Sequence, residues 1–161
     1  IGTPFPVAYV TGGGQGIGRA FAHALGEAGA KVAVVDLILA KAEAVAYELS
    51  LKGKHIALAA DVSKPEDVQK FVDTIVARWG TIHIACNNAG INMNSASEDT
   101  SLEEWDKTFN VNLRGLFLCC QVSVKFCMVF VFANGQLFLS GVTFAESAAL
   151  TAWARCWCAL S

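Results

Sequence analysis

The chain has 161 residues, 54% of them hydrophobic and only 16% charged, with a formal net charge of −2. That length fits one domain able to bury a real core, and the near balance of charge recommends neither nucleic acid nor an anionic membrane surface as a partner. The six cysteines (Cys86, Cys119, Cys120, Cys127, Cys156 and Cys158) show no paired zinc spacing. No metal site is expected, and Cys156-x-Cys158 reads as incidental. In the absence of a secretory leader pattern they point to free thiols in a reducing cytoplasm. Position 1 is Ile rather than Met, which reads as a trimmed or incomplete start.

The chain opens with an apolar run, Val7-Ala8-Tyr9-Val10, that predicts a strand over 6–11. Thr11-Gly-Gly-Gly-Gln-Gly-Ile-Gly18 follows, and then an alanine-rich helix over 17–28. Strand, glycine turn and helix in that order make a cradle for the pyrophosphate of a dinucleotide. Gly12 permits a sharp turn, Gly16 lets backbone N–H groups approach the phosphates, and Gly18 lets the helix pack on the strand. Gln15 and Ile17, set among those glycines, belong to the same candidate contact set. The helix start adds free N–H groups and about half a positive charge facing the anion.

Further strands are predicted over 31–36, 55–60 and 81–86, with helices over 39–52 and 65–79. Short β-rich runs alternating with amphipathic helices are the signature of parallel βαβ units. The fold class is therefore α/β, a Rossmann-like doubly wound parallel sheet, expected to be truncated after its fourth or fifth strand. The helix over 65–79 has Ser63 as its candidate cap, Pro65 in its first turn, and Glu66 and Asp67 at its positive end. A fourth helical region starts at Thr100 and continues in a second helix through 108–124.

Asp36 ends the second strand in Val32-Ala-Val-Val-Asp-Leu37. A carboxylate about 20 residues beyond such a glycine turn can hold both hydroxyls of an adenosine ribose. It also repels a 2′-phosphate: at about 4 Å and an effective dielectric near 20, each unit of like charge costs about 4 kcal/mol before screening. No basic residue stands at 15 or 37 to offset this, so NAD is favoured over NADP, and Leu37 joins Asp36 in the candidate set. Asp61 and Val62 follow the third strand. There the carboxylate can accept from an adenine amino group and Val62 can lie against the ring; helix capping by Asp61 or Ser63 is the competing account. Asn87-Asn-Ala-Gly90 closes the fourth strand beside the switch point where ligands enter such sheets. Asn88, Ala89 and Gly90 are its candidate contacts.

Composition changes after Gln121. Residues 122–161 carry only three charged residues (Lys125, Glu146 and Arg155) but seven Phe or Trp. Residues 1–121 read as the dinucleotide-binding domain and 122–161 as a divergent tail completing one strand and a helix of it. Phe126–Ala133 and Gln136–Ser140 are candidate strands. The apolar run at 126–133 is far short of the ~20 residues of a membrane span. A sheet cut at its middle exposes an apolar edge, which predicts poor solubility or a molten tail, with 6–90 the best ordered part.

Thr-Gly-x-x-x-Gly-x-Gly at 11–18, Asp61, Asn-Asn-Ala-Gly at 87–90 and Asn112 in Val-Asn-Leu-Arg-Gly together resemble the short-chain dehydrogenase/reductase family over residues 6–121. Residues 92–106 and 112–121 look more narrowly like its fungal polyol and ketose reductases, of the arabinitol, mannitol or sorbose type. The resemblance implies hydride transfer between nicotinamide C4 and a secondary alcohol or ketone, with a small polyol or ketose as substrate. It implies that Asn112 kinks its helix and holds a water in a proton relay, and that a Ser orients the substrate oxygen beside a Tyr-x-x-x-Lys acid/base pair. Homo-oligomers occur in the family, although this chain supplies only part of the helices through which they pack.

The tail departs from that pattern. Tyr9 and Tyr47 are the only tyrosines, and both lie in the cofactor half. Ser140 stands where the catalytic Ser is expected, with a plain strand-end serine as the competing reading. Trp153-x-x-x-Trp157 takes the place of Tyr-x-x-x-Lys. Loss of a positioned general acid lowers rates about 10²–10⁴-fold, so the chain is expected to bind a dinucleotide without useful turnover. The alternative is an active NAD-dependent polyol or ketose oxidoreductase whose tail is a reading artefact. Gln121-Val-Ser can be encoded as CAG GTG AGT, an exon end running into an intron donor.

Overall fold

The computed structural model describes residues 5–49, 54–126, 128–133 and 136–141, the last two segments as backbone strands. The chain begins with β1 (Val7–Thr11), α1 (Gly16–Glu27), β2 (Lys31–Asp36), α2 (Leu39–Glu48), β3 (Ile56–Ala59), α3 (Pro65–Trp79) and β4 (Ile84–Asn87). It continues with α4 (Leu102–Phe109), a π-helical segment (Asn110–Gly115), α5 (Leu116–Ser123), β5 (Met128–Ala133) and β6 (Gln136–Gly141). The six strands form one sheet in the order β3-β2-β1-β4-β5-β6.

The first four strands are parallel, as the alternating pattern requires. Thr11 pairs with both Val35 and Asn87, and Asp36 with Ala59. That register sets the carboxyl ends of β1 to β4 in a row along one edge. Because β2 and β4 flank β1 while the chain runs outward on both sides, the crevice of the switch point opens above β1 and β4. β1 is buried at every position, since helices cover both faces of the sheet. Val7, Tyr9, Ala33 and Val35 point to a core shared with α3 and α5 that includes Phe71, Val72, Ile75 and Leu118. Ala8, Val10, Val32 and Val34 point to the opposite core, with Ala22 of α1 and Ala42 and Val45 of α2. The period of two along β1 and β2 is thus satisfied twice.

Where bounds differ from expectation, side chains decide. The strand predicted over 81–86 starts as a continuous ladder only at Ile84. His83 N–H donates to Val7 O at 2.8 Å, and His83 Nδ1 accepts the Val7 N–H at 2.9 Å. His55 Nδ1 accepts the Val32 N–H at 3.1 Å in the same way. The helix predicted over 39–52 ends at Glu48, where Leu49 turns extended at ψ 144°; residues 50–52 are outside the described residues. Ser63 does not cap α3. Lys64 holds that position without a side-chain cap, and the Ser63 hydroxyl one residue earlier donates to Asp61 Oδ1 at 2.6 Å. Asp61 does not cap α3 either, its Oδ1 taking the N–H of Ser63 at 3.0 Å, which lies before the helix.

Beyond α5, β5 runs parallel to β4 through Ala85 and Val131, and β6 pairs antiparallel with β5. Only Asn134 and Gly135 separate the two strands in sequence, too few for a parallel crossover and enough for a hairpin. The expected tail helix, Trp153, Trp157, Cys127, Cys156 and Cys158 lie outside the described residues. Among the described residues, no helix is long and apolar enough to cross a membrane.

Candidate functional site

A groove of about 470 Å³ opens at the carboxyl edge of β1 to β4, within the size range of small-molecule and cofactor sites. Gly12, Gln15, Gly16, Ile17, Gly18, Asp36, Leu37, Asp61, Val62, Asn88, Ala89 and Gly90 all line it. These are the residues singled out for a dinucleotide from sequence. Val35, Ile38, Lys41, Ala60, Ile91 and Val111 line it as well.

The glycine turn is built by close approach. Gly12 and Gly16 have φ of +63° and +55°, a left-handed conformation that side chains disfavour. A Cβ on Gly12 would meet Ala89 Cα at 3.0 Å, and a Cβ on Gly18 would run into the Gly12 carbonyl oxygen. At Gly16 a Cβ would instead project into open space. α1 starts without a side-chain cap, and its first return bond runs from Arg19 N–H to Gln15 O at 3.1 Å. The N–H groups of the first turn therefore face the groove as anion donors. Backbone that approaches this closely, with free donors aimed at the opening, fits a diphosphate.

Thr11 joins the two strands beneath the turn. Its Oγ1 accepts the N–H groups of Asn88 and Ala89 at 3.0 and 3.1 Å, while Asn88 Nδ2 donates back to Thr11 O at 3.1 Å. The motif contains this threonine, yet its role emerges only when β1 and β4 lie side by side. Asp36 is equally fixed. Its Oδ2 accepts the Gly14 N–H at 2.9 Å and its Oδ1 the Ile38 N–H at 3.0 Å. Each oxygen keeps acceptor capacity for a vicinal diol. Asp61 Oδ2 lies 3.8 Å from Lys64 Nζ. Val62 is 7% exposed and lies so close beneath Gly115 that a Cβ there would meet its Cγ2 at 2.8 Å.

At the other end of the groove, Asn112 does not itself line the opening; it lies in the π-helical segment beside Val111 and reaches the groove through Ile91. Its Nδ2 donates to Ile91 O and its Oδ1 accepts the Ile91 N–H, both at 2.8 Å. The amide thus grips one residue of the strand-to-helix loop bidentately. The loop is held again at Glu104, whose carboxylate accepts from Asn94 N–H and the Ser95 hydroxyl. Those two bonds hold its pKa below the ordinary glutamate value. Ser101 Oγ caps α4 at the Glu104 N–H, 3.1 Å away.

The described residues hold no general acid at this end. Tyr9 is fully buried in the core, its O–H donating to Asn87 Oδ1 at 2.8 Å and lying 2.8 Å from Ser123 Oγ. Tyr47 is 74% exposed on α2, and neither tyrosine lines the groove. Burial pushes the thiols of Cys86 and Cys119 up to about 12 and that of Cys120 to about 11, so they supply no thiolate at neutral pH. Ser140 takes its place on β6 opposite Val129; its side chain is outside the described residues.

Two residues at or beside the groove that bear on its chemistry or shape escaped the sequence reading, one lining it and one packed behind Val62. Lys41 is one: it lies five residues past Asp36, in the first turn of α2, where a positive charge opposes the helix dipole. That misplacement was the available signal. Gly115 is the other, and only the packing of the π-helical segment onto Val62 reveals it.

A doubly wound sheet with a glycine turn, an acidic β2 end and an asparagine-rich β4 end defines a Rossmann-like dinucleotide-binding fold. The model of the short chain dehydrogenase family matches residues 6–136, and the chain belongs to that family. It is 43% identical over 120 residues to the D-threitol dehydrogenase of Mycolicibacterium smegmatis, covering 74% of this chain and 46% of that enzyme. A 3-alpha-(or 20-beta)-hydroxysteroid dehydrogenase of Mycobacterium bovis is 39% identical over 119 residues, 74% of this chain and 45% of the relative. Among solved structures, the 3-ketoacyl-(acyl-carrier-protein) reductase of Brucella melitensis complexed with NADH superposes with a TM-score of 0.69 at 38% identity. That match covers 72% of this chain and 47% of the reductase. The chain therefore spans about half the length of the relatives it matches.

Proposed function

We propose that this chain is the dinucleotide-holding part of an oxidoreductase that exchanges hydride between NAD(H) and a secondary alcohol or ketone. On this reading the diphosphate rests on the N–H groups after Thr11, with Gly12, Gln15, Gly16, Ile17 and Gly18 around it. The adenosine ribose sits at Asp36 and Leu37, and the adenine at Asp61 and Val62. Asn88, Ala89 and Gly90 line the path toward the nicotinamide. The observation that carries the reading is the meeting of all these residues in one groove. NAD is preferred over NADP because the Asp36 carboxylate, pinned by two backbone N–H groups, stands where a 2′-phosphate would bring like charge.

A bound dinucleotide would supply the hydride-carrying ring; the chain's own part is to bind and orient it. Asn112 holds Ile91 in place and so shapes the wall nearest that ring. Neither described tyrosine reaches the groove, and this supports binding without useful turnover. The likeness to D-threitol dehydrogenase supports a polyol or ketose as the substrate class of the whole protein, with the active enzyme as the second reading. Three free thiols among the described residues favour a reducing, cytoplasmic setting.

Titration calorimetry with NAD and NADH on folded protein tests the binding half. Heat at micromolar ligand is expected, and its absence overturns the proposal. Following NADH oxidation with ketoses tests the other half, where brisk turnover would install the second reading.

A further inference from the structure

We propose that Lys41 is a second determinant of which dinucleotide the groove accepts, its ammonium offsetting Asp36 and offering a partner to a 2′-phosphate. This rests on the reading of the groove as a dinucleotide site. Lys41 lies in the first turn of α2, a helix with no acidic residue there, at the end where helices favour negative charge. A residue set against its local preference asks for another role.

Geometry supplies that role. A Cβ on Gly14 would come within 2.6 Å of Lys41 Cβ and 2.8 Å of Asp36 Oδ2. The lysine stem and the carboxylate therefore flank the same glycine of the turn. From there Nζ donates to Gln15 Oε1 at 2.7 Å, on the rim of the groove. Lys41 is the only cation among the described residues that line it. The ion pairs among the described residues engage Arg19, His23 and Lys64, and Lys41 is in none of them.

Gly14 N–H and Ile38 N–H hold the two oxygens of Asp36, so moving the carboxylate aside to admit a 2′-phosphate costs both bonds. An opposing charge offers tolerance of that phosphate without that cost. The ammonium is well suited to provide it: a neutral amide oxygen is its present acceptor, and a phosphate makes the stronger, charge-assisted bond. Two consequences follow. The chain discriminates against NADP less steeply than Asp36 alone dictates, and loss of the Asp36 charge yields a good NADP binder only while Lys41 remains.

The experiment is a fluorescence titration of NADH and NADPH into the unchanged chain, Lys41→Met, Asp36→Asn and the double variant, with circular dichroism to verify the fold. Lys41→Met is expected to weaken NADPH about tenfold more than NADH, a coupling of about 1.4 kcal/mol. The gain in NADPH affinity expected for Asp36→Asn should shrink by a similar factor when Lys41→Met is added. Raising salt should weaken NADPH more than NADH in Asp36→Asn, where Lys41 faces the phosphate unopposed, and this gap should narrow in the double variant. Equal effects on both ligands, or a double variant that keeps the whole gain, would overturn the role of Lys41 while leaving the dinucleotide site intact. A folded, unchanged chain that binds neither ligand would instead overturn the site, and this inference with it.

Discussion

At the Asp36 end of the groove, the partners are main-chain groups: the carboxylate is held by the N–H groups of Gly14 and Ile38, and the turn is shaped by glycine torsions. At the Asn112 end, side chains do the holding, with one amide gripping Ile91 and one carboxylate gripping Asn94 and Ser95. The first end is set by the register of buried parallel strands, which few substitutions can shift. The second hangs on two polar side chains of α4 and the π-helical segment. Damage at the first end should spread to the whole fold, whereas damage at the second should stay local.

The hardest break of this contrast is Gly18→Ala. Its Cβ meets the backbone oxygen of Gly12, which cannot rotate away, so a loss of about 3 kcal/mol together with dinucleotide binding is expected in urea melts and NADH titrations. Wild-type stability in that variant would refute the close approach. Asp36→Ala comes next: NADH affinity should fall about 30-fold, near 2 kcal/mol, and the preference over NADP should relax. Unchanged affinities for both would remove Asp36 from the site.

Asn112→Ala removes both bonds to Ile91 and should lower stability by about 1–2 kcal/mol. Amide exchange should speed up over residues 91–96 and barely change at Gly13 and Gly14; uniform acceleration would erase the proposed difference between the two ends. The smallest effect concerns acid. The pKa of Glu104 lies below its unfolded value, so its stabilising contribution is fully present above the ordinary glutamate range. It is lost as pH falls through the lowered pKa. Exchange at Asn94 should accelerate in that acid window, and Glu104→Gln should abolish the pH dependence. An identical acid profile in that variant would assign the effect elsewhere.

The β1–turn–α1 unit and the βαβ succession were legible because they depend on short-range physics. Glycines at 12 and 16 are required by positive φ, and alternating apolar residues in β1 and β2 serve two cores. Asp36, Asp61 and Asn88 were legible as strand-end residues, since parallel strands share one carboxyl edge. The Ser63 hydroxyl was misread because it lies one residue before the Lys64 cap position and donates to Asp61 Oδ1 instead of accepting from the helix N–H groups. His55 and His83 were silent in sequence, as their ring nitrogens serve β2 and β1, strands remote in the chain.

Composition and spacing alone determined that a strand, a glycine turn and a helix would form, and that a carboxylate would end β2. These outcomes follow from torsional limits and from hydrophobic periods read within a few residues. Tertiary structure alone decided that Thr11 Oγ1 would bind the β4 end, that Asn112 would hold Ile91, that Gly115 would press on Val62 and that Lys41 would reach Gln15. Each is a contact between segments whose separation along the chain carries no periodic signal, and each exists only once the sheet order brings its partners within hydrogen-bond or van der Waals reach.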